Sequence, residues 1–202
     1  LEYEAMKDKF DYMRLWGVDS KEDIAKTLAV FGAFTEGLQL FASFAVLMNF
    51  PRQNRMKGMG QIVTWSVRDE TLHTESAIKL FKTFVEENPE VWNDKVREEI
   101  TEACSKVIEH EDAFIDLAFE LGGVKGMEAS EVKQYIRYIA NRRLSQLGLP
   151  HLYDVEKNPL PWMDEMLNAV EHTNFFEGRS TEYSRAATTG SWSKTFEGAF
   201  GS

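Results

Sequence analysis

The 202-residue sequence has a single cysteine and fewer basic than acidic residues, and each scarcity excludes a class of protein. One cysteine excludes an internal disulfide framework and fits a reducing cytosol, so we expect a cytoplasmic protein in which Cys104 is a buried structural thiol. The 23 basic residues against 33 acidic ones give a formal net charge of −10. Nucleic-acid and anionic-membrane surfaces need clustered Lys and Arg, so neither partner is expected.

The N-terminus lacks the pattern of a signal peptide, because no basic region is followed by an apolar run. The chain starts at Leu1, without an initiating Met, inside the helical pattern EYEAMKDKFDYM. We therefore expect this sequence to be a piece of a longer polypeptide.

Runs of alternating β-branched residues are also missing, and helical patterns extend along the chain. The expected long helices run from about Lys21 to Pro51, from about Gly60 to Glu87, from Pro89 to Gly122, and from Ser130 to about Gly148. Long helices with short connections predict an all-α bundle, which we assign to residues 1–173. Residues 174–202 are rich in Gly, Ser and Thr with isolated aromatics, which predicts a flexible extended tail.

One segment of the first long helix is almost free of charge. From Thr27 to Phe50 the only ionisable side chain is Glu36, so the segment is apolar enough to span a bilayer. Polar residues interrupt it and no second span is present to pair with it, so a helix buried inside a bundle is the preferred interpretation. A carboxylate there costs several kcal/mol unless it binds a metal or pairs with an arginine such as Arg68 or Arg142.

Glu70 and His73 are the second unusual feature. A step of three residues leaves two side chains on one face of an α-helix, within reach of a shared ion. Carboxylate oxygen and imidazole nitrogen together suit iron or manganese. Ferritin-like two-metal proteins use a lone Glu from each of two helices and Glu-x-x-His from each of two others. Glu36, Glu70 and His73 supply one copy of each element, which predicts half of a two-metal site.

Several longer strings make the pattern specific. They are AVFGAFTEGLQLFASFAVLMNF, GMGQIVTWSVRDETLH, YIRYIANRRLSQLGLP and NPLPW. In order and spacing they resemble ribonucleotide reductase small subunits, most closely the bacterial class I forms with a C-terminus of the TNFFEGRSTEYS type.

The resemblance implies a ferritin-like bundle, of which this chain is a part, with a dinuclear Fe/Fe, Mn/Mn or mixed Mn/Fe centre. Glu36, Glu70 and His73 match metal ligands of the family, and Asp69 matches the carboxylate that orients a histidine and carries the electron relay. The alternative for Asp69 is a surface ion pair with Arg68. Ser43 and Phe44 match positions that line the metal pocket, whereas Leu40 and Phe41 are interpreted as packing residues.

The resemblance also implies partners. The tail would bind the catalytic large subunit, which reduces ribonucleotides to deoxyribonucleotides, and Tyr183 resembles the tail tyrosine that passes the radical between subunits. Trp192, Phe196 and Phe200 would anchor the tail. A homodimer is expected, and the remaining metal ligands and the radical residue belong to an N-terminal half of the subunit that we cannot place here.

Two other interpretations remain open. The chain could be a truncated or split fragment that acts as a helical binding module without redox activity of its own. It could also be a ligand-binding oxidase of the same superfamily, which the tail sequence disfavours. Two bound metals only after mixing with the N-terminal half would favour the reductase over the binding module.

Overall fold

The computed structural model describes residues 3–169, and the predicted tail lies outside this range. Within the described range the regular structure is helical, apart from one isolated bridge between Val124 and Met127, and the predicted all-α fold is confirmed. The α-helices are α1 (Glu4–Met13), α2 (Lys21–Ala29), α3 (Phe41–Arg52), α4 (Lys57–Glu87), α5 (Asp94–Phe119), α6 (Ala129–Leu147) and α7 (Pro161–Ala169). A π-helical segment (Val30–Glu36) continues α2, and we call it the π segment.

The expectation of a single helix from Lys21 to Pro51 is wrong, because the helix is interrupted after the π segment. The amide of Gln39 donates to the carbonyl of Phe34, five residues back, at 3.0 Å. Residues 37–40 then form a turn before α3 begins, and we call this turn the break. Pro51 does not stop the helix but lies in its last turn. Glu36 is therefore at the end of a π segment and not in the middle of a regular helix.

The apolar stretch from Lys21 to Arg52 belongs mainly to the core of the bundle. By length and composition it passes the test for a membrane span, but 61% of its apolar window is buried inside the protein. Gly32 brings it close to α4, because a Cβ at this position would lie only 2.5 Å from the Cβ of Ala77. This burial supports the interpretation of a core helix.

Helix ends follow local capping chemistry, and two predicted starts are corrected. Ser20 accepts the predicted hydrogen bond from the amide of Asp23 at 3.1 Å. Residues 89–91 form a short 3₁₀ turn, and α5 begins later, after Asn93. The α6 helix begins with a capping box between Glu128 and Glu131, not with Ser130 as its cap.

The helices pack as neighbouring pairs around one core. The long helix α4 lies along α2, the π segment and α3, while α5 packs against α6. The short helix α1 lies on α5. Cys104 is fully buried on α5, and burial raises its pKa to about 12, as expected for a structural thiol rather than a nucleophile.

Candidate metal centre

The three predicted metal ligands lie together. Glu36, Glu70 and His73 each offer one ligand atom, and these atoms lie within 4.8 Å of one another. Glu36 is the last residue of the π segment, whereas Glu70 and His73 lie near the middle of α4. The packing of two elements adjacent in sequence therefore joins the lone glutamate to the Glu-x-x-His pair.

On α4, regular helical geometry is enough to place the pair. The helix is 31 residues long, and a step of three residues leaves both side chains on one face. The Nδ1 atom of His73 is 3.4 Å from a carboxylate oxygen of Glu70. The Glu70 side chain is 24% exposed and the His73 side chain 57% exposed, so both ligands are accessible from the surface.

Glu36 is half-buried and is not enclosed on all sides as the sequence had indicated. Among residues 3–169 it forms no ion pair with either proposed arginine partner; Arg68 is exposed on α4, and Arg142 lies 6.0 Å from the centroid of the Tyr138 ring. The Glu36 side chain lines an open cleft together with the other two ligands. This position beside Glu70 and His73 is compatible with a shared metal ion.

The cleft has a volume of about 590 Å³, and α1 forms the wall that faces the ligands. Met6, Phe10 and Met13 contribute apolar side chains to this wall at spacings of four and three residues. Lys9, on the same helix, adds the only lysine among the lining residues. This wall of the cleft is therefore mostly apolar, with one basic side chain.

The donor set fits a first-row metal ion. Two atoms that bind the same ion at about 2.1 Å can be at most about 4.2 Å apart. A small change of side-chain rotamer would therefore bring all three atoms within binding distance of one ion. The exposed imidazole of His73 has the freedom for such a change. Two carboxylates and one imidazole suit iron or manganese, but three side chains do not complete two coordination shells.

The family resemblance also placed residues around the metal ligands, and some of them lie where expected while others do not. Ser43 lines the cleft as expected, but Phe44 is only 8% exposed and packs edge-to-face on Phe41 with centroids 5.8 Å apart. Leu40, interpreted as a packing residue, lines the cleft instead. Asp69 is exposed on α4, and its role as an orienting carboxylate stays a prediction.

The sequence analysis missed an ion pair behind the cleft. Lys9 pairs with Glu111 of α5, which is completely buried. Burial raises the pKa of Glu111 to about 7, although the ammonium of Lys9 acts in the opposite direction. The sequence spacing could have indicated that Glu111 is buried, because it lies four residues after Val107 and four before Ile115, on the buried face of α5.

Gln39 is a second residue that the sequence analysis did not place in the site. Its side chain is 3% exposed and lines the cleft, and its Nε2 atom has no hydrogen-bond partner among residues 3–169. Tyr183, Trp192, Phe196 and Phe200 lie outside the described residues, so their predicted roles remain predictions.

Comparison with known proteins identifies relatives along most of the chain. A family model described as "Ribonucleotide reductase, small chain" matches residues 1–159. The chain is 47% identical to a probable ribonucleoside-diphosphate reductase small subunit of Invertebrate iridescent virus 3, with 95% of the chain and 56% of the relative covered. It is 36% identical to the ribonucleoside-diphosphate reductase subunit beta of Chlamydia pneumoniae, with 88% and 51% covered. The chain thus spans about half the length of these curated relatives.

Solved structures support the fold. The ribonucleotide reductase R2 subunit from Clostridium botulinum superposes with a TM-score of 0.75 at 21% identity, over 82% of this chain and 54% of that one. At this identity the likeness concerns the helical architecture alone.

Proposed function

The chain belongs to the ribonucleotide reductase small-chain family, and on that premise we propose that it contributes half of the two-metal site of a ribonucleoside-diphosphate reductase small subunit. The observation that carries this proposal is the convergence of Glu36, Glu70 and His73, whose ligand atoms lie within 4.8 Å of one another. They form one lone glutamate and one Glu-x-x-His, which is one of the two copies that ferritin-like two-metal proteins use.

The chain's own residues would bind the metal ions and orient one of the ligands. Glu36 and Glu70 would hold the ions through carboxylate oxygens, and His73 through an imidazole nitrogen. Asp69 would fix the orientation of a histidine ring, as carboxylates near metal sites commonly do. Bound Fe/Fe, Mn/Mn or Mn/Fe would supply the one-electron oxidant that the large subunit needs for ribonucleotide reduction.

The other half of the ligand set would come from a further helical segment of the subunit, packed on α4. Ile62 and Leu80 are 60% and 56% exposed. Ile62 lies 11 residues before His73, which is about three helical turns, and Leu80 lies seven residues after it, which is about two turns. All three residues therefore share one face of α4. A helix laid along this face would cover both apolar side chains and bring its own ligands to His73.

The predicted tail, residues 174–202, would bind the large subunit, with Tyr183 passing the radical between subunits. A homodimer of the complete subunit is part of the same proposal. The alternative, a helical binding module without redox activity, predicts large-subunit binding that does not depend on metal.

Metal titration tests the proposal. We expect the chain to bind Fe(II) or Mn(II) weakly alone, and to bind two ions per site when mixed with the subunit segment that carries the second lone carboxylate and the second Glu-x-x-His. The reconstituted protein with the large subunit should then reduce ribonucleotides. Binding of no metal under either condition would contradict the proposal.

Two substitutions on α4 make the test specific. Glu70→Gln should weaken metal binding by about 100-fold or more, because it removes a charged ligand. Glu86→Gln is the matched control, since Glu86 is an exposed carboxylate on the same helix and is not a predicted ligand. Equal affinities for the two variants would remove Glu70 from the site.

A further inference from the structure

The break that follows Glu36 leaves backbone carbonyls without their usual helical partners. In a continuous α-helix the amide of Phe41 would donate to the carbonyl of Gly37, but here it donates to the carbonyl of Leu38 at 3.0 Å. Buried carbonyls require a hydrogen-bond donor from elsewhere. The donors for the break come from two distant helices.

Arg143 of α6 is the first donor. Its Nε atom donates to the carbonyl of Gly37 at 2.8 Å, across 106 residues of sequence. A second guanidinium nitrogen donates to Gln146 at 2.9 Å, and the guanidinium lies 5.5 Å from the centroid of the Phe41 ring. The side chain is therefore fixed on three sides, and the bonded carbonyl belongs to the residue directly after Glu36.

Lys9 of α1 is the second donor. Its ammonium donates to the carbonyl of Gln39 at 3.3 Å and pairs with the buried carboxylate of Glu111. It also lies 4.7 Å from the centroid of the Phe114 ring. Lys9 thus joins the turn after Glu36 to α1 and α5, as Arg143 joins it to α6.

Keeping Arg143 in this position has a cost. The residue is 6% exposed, and among the described residues it has no carboxylate within ion-pair distance. Burial accordingly lowers its pKa to about 10. The approach also requires glycine at 37, because a Cβ there would lie 2.7 Å from the Nε of Arg143 and 2.5 Å from the carbonyl of Ala33. The buried cation is held mainly by two oxygens, the carbonyl of Gly37 and the side-chain amide oxygen of Gln146.

We propose that Arg143 and Lys9 are positioning residues for Glu36, which hold the carbonyls of the break so that the carboxylate faces Glu70 and His73. The inference rests on the proposed metal site for its purpose. The hydrogen bonds of Arg143 and Lys9 to the break are nevertheless a property of the metal-free chain. π-Helical segments often occur at functional sites, and these two cations supply the contacts that keep this one in a single conformation. The α4 ligands need no such device, because a regular helix already fixes their spacing.

The experiment compares substitutions at two arginines of α6 in the full chain. Arg143→Met removes the donor to Gly37, and Arg143→Lys keeps the charge and one donor. Arg137→Met is the matched control, because Arg137 is a partly buried arginine of the same helix whose bidentate partner is Asp112. Hydrogen–deuterium exchange of the metal-free chain and electron paramagnetic resonance of bound Mn(II) are the two measurements.

We expect Arg143→Met to speed amide exchange at residues 34–41 by about tenfold while residues 60–78 of α4 exchange as in the wild type. The affinity for Mn(II) should fall by about 10-fold to 100-fold with an altered spectrum, as is usual when a residue that supports a metal ligand is lost. Arg143→Lys should recover part of both effects. Arg137→Met should change neither, even where it lowers overall stability.

Equal exchange and equal Mn(II) spectra for Arg143→Met and Arg137→Met would overturn the inference. If the wild-type chain binds no Mn(II) even after reconstitution, the proposed function fails. The exchange data then decide separately whether Arg143 holds the break, since they require no metal.

Discussion

The two helices that carry the candidate ligands place them in different ways. On α4, a regular helix of 31 residues, Glu70 and His73 share a face because of their spacing. On the other helix the regular hydrogen-bond pattern fails at the π segment, and the carbonyls of Gly37 and Gln39 bond to Arg143 and Lys9. One ligand pair depends on local geometry, and the lone Glu36 depends on side chains from α1 and α6.

This difference predicts where the site is sensitive to change. Substitutions on α4 away from the ligands should affect mainly packing. Substitutions around the break should affect both stability and the direction of the Glu36 carboxylate. Four changes test that contrast, in order of decreasing effect on the free energy of unfolding.

Gly37→Val should have the largest effect. Its Cβ would lie within 3 Å of the Ala33 carbonyl, the Arg143 Nε and the Thr74 methyl group, so the break would have to open. We expect a loss of about 4 kcal/mol, from overpacking combined with the lost hydrogen bond of a buried cation. Denaturant unfolding measures it. Gly123→Ala is the control, because a Cβ there meets no atom within 4 Å, and equal losses for both variants would contradict the prediction.

Glu111→Gln should change how stability depends on pH. The pKa of Glu111 is raised from 4.5 to about 7 by burial, so the folded protein holds this proton more tightly than the unfolded chain. Its contribution is fully present below pH 4.5 and is lost as the pH rises through 7. Between those limits the wild type should lose about 3 kcal/mol relative to Glu111→Gln.

Denaturant unfolding at a series of pH values measures the difference between the two proteins. Above about pH 8 the difference should stay constant, because Glu111 is then ionised in both the folded and the unfolded states. Parallel curves from pH 4.5 to pH 8 would show that the pKa of Glu111 is not raised.

Thr74→Val tests the side of α4 that faces the break. The Thr74 hydroxyl is buried and has no hydrogen-bond partner among the described residues, while its methyl group lies next to Gly37. Valine keeps the shape and removes the unpaired hydroxyl, so the free energy of unfolding should rise by about 1.5 kcal/mol. Thr71→Val is the control and should not stabilise, because the Thr71 hydroxyl donates to the Val67 carbonyl at 2.7 Å.

Ser20→Ala should have the smallest effect. The Ser20 hydroxyl caps α2, well before the break, by accepting from the amide of Asp23. Loss of such a cap costs about 1 kcal/mol. Thermal unfolding should show this loss, while Mn(II) affinity stays unchanged; a change in affinity would mean that the start of α2 also positions Glu36.

Much of the fold was accessible from the sequence where the signals are local. The Ser20 cap and the Gly148 stop of α6 are confirmed, as is the all-α bundle. The break after Glu36 was missed because π hydrogen bonding leaves no simple period in the sequence. Lys9 and Glu111 were missed because the two partners lie 102 residues apart, and only the packing of α1 on α5 brings them together.

By itself, the sequence determined that Glu70 and His73 share one helical face, because helical spacing depends on neighbouring residues alone. It also contained Glu36 as the one ionisable residue in an apolar stretch. Only the tertiary structure decided that Glu36 reaches the pair, since its direction depends on a break held by Arg143 and Lys9. Contacts between helices far apart in sequence have no local pattern, and they complete the proposed half site.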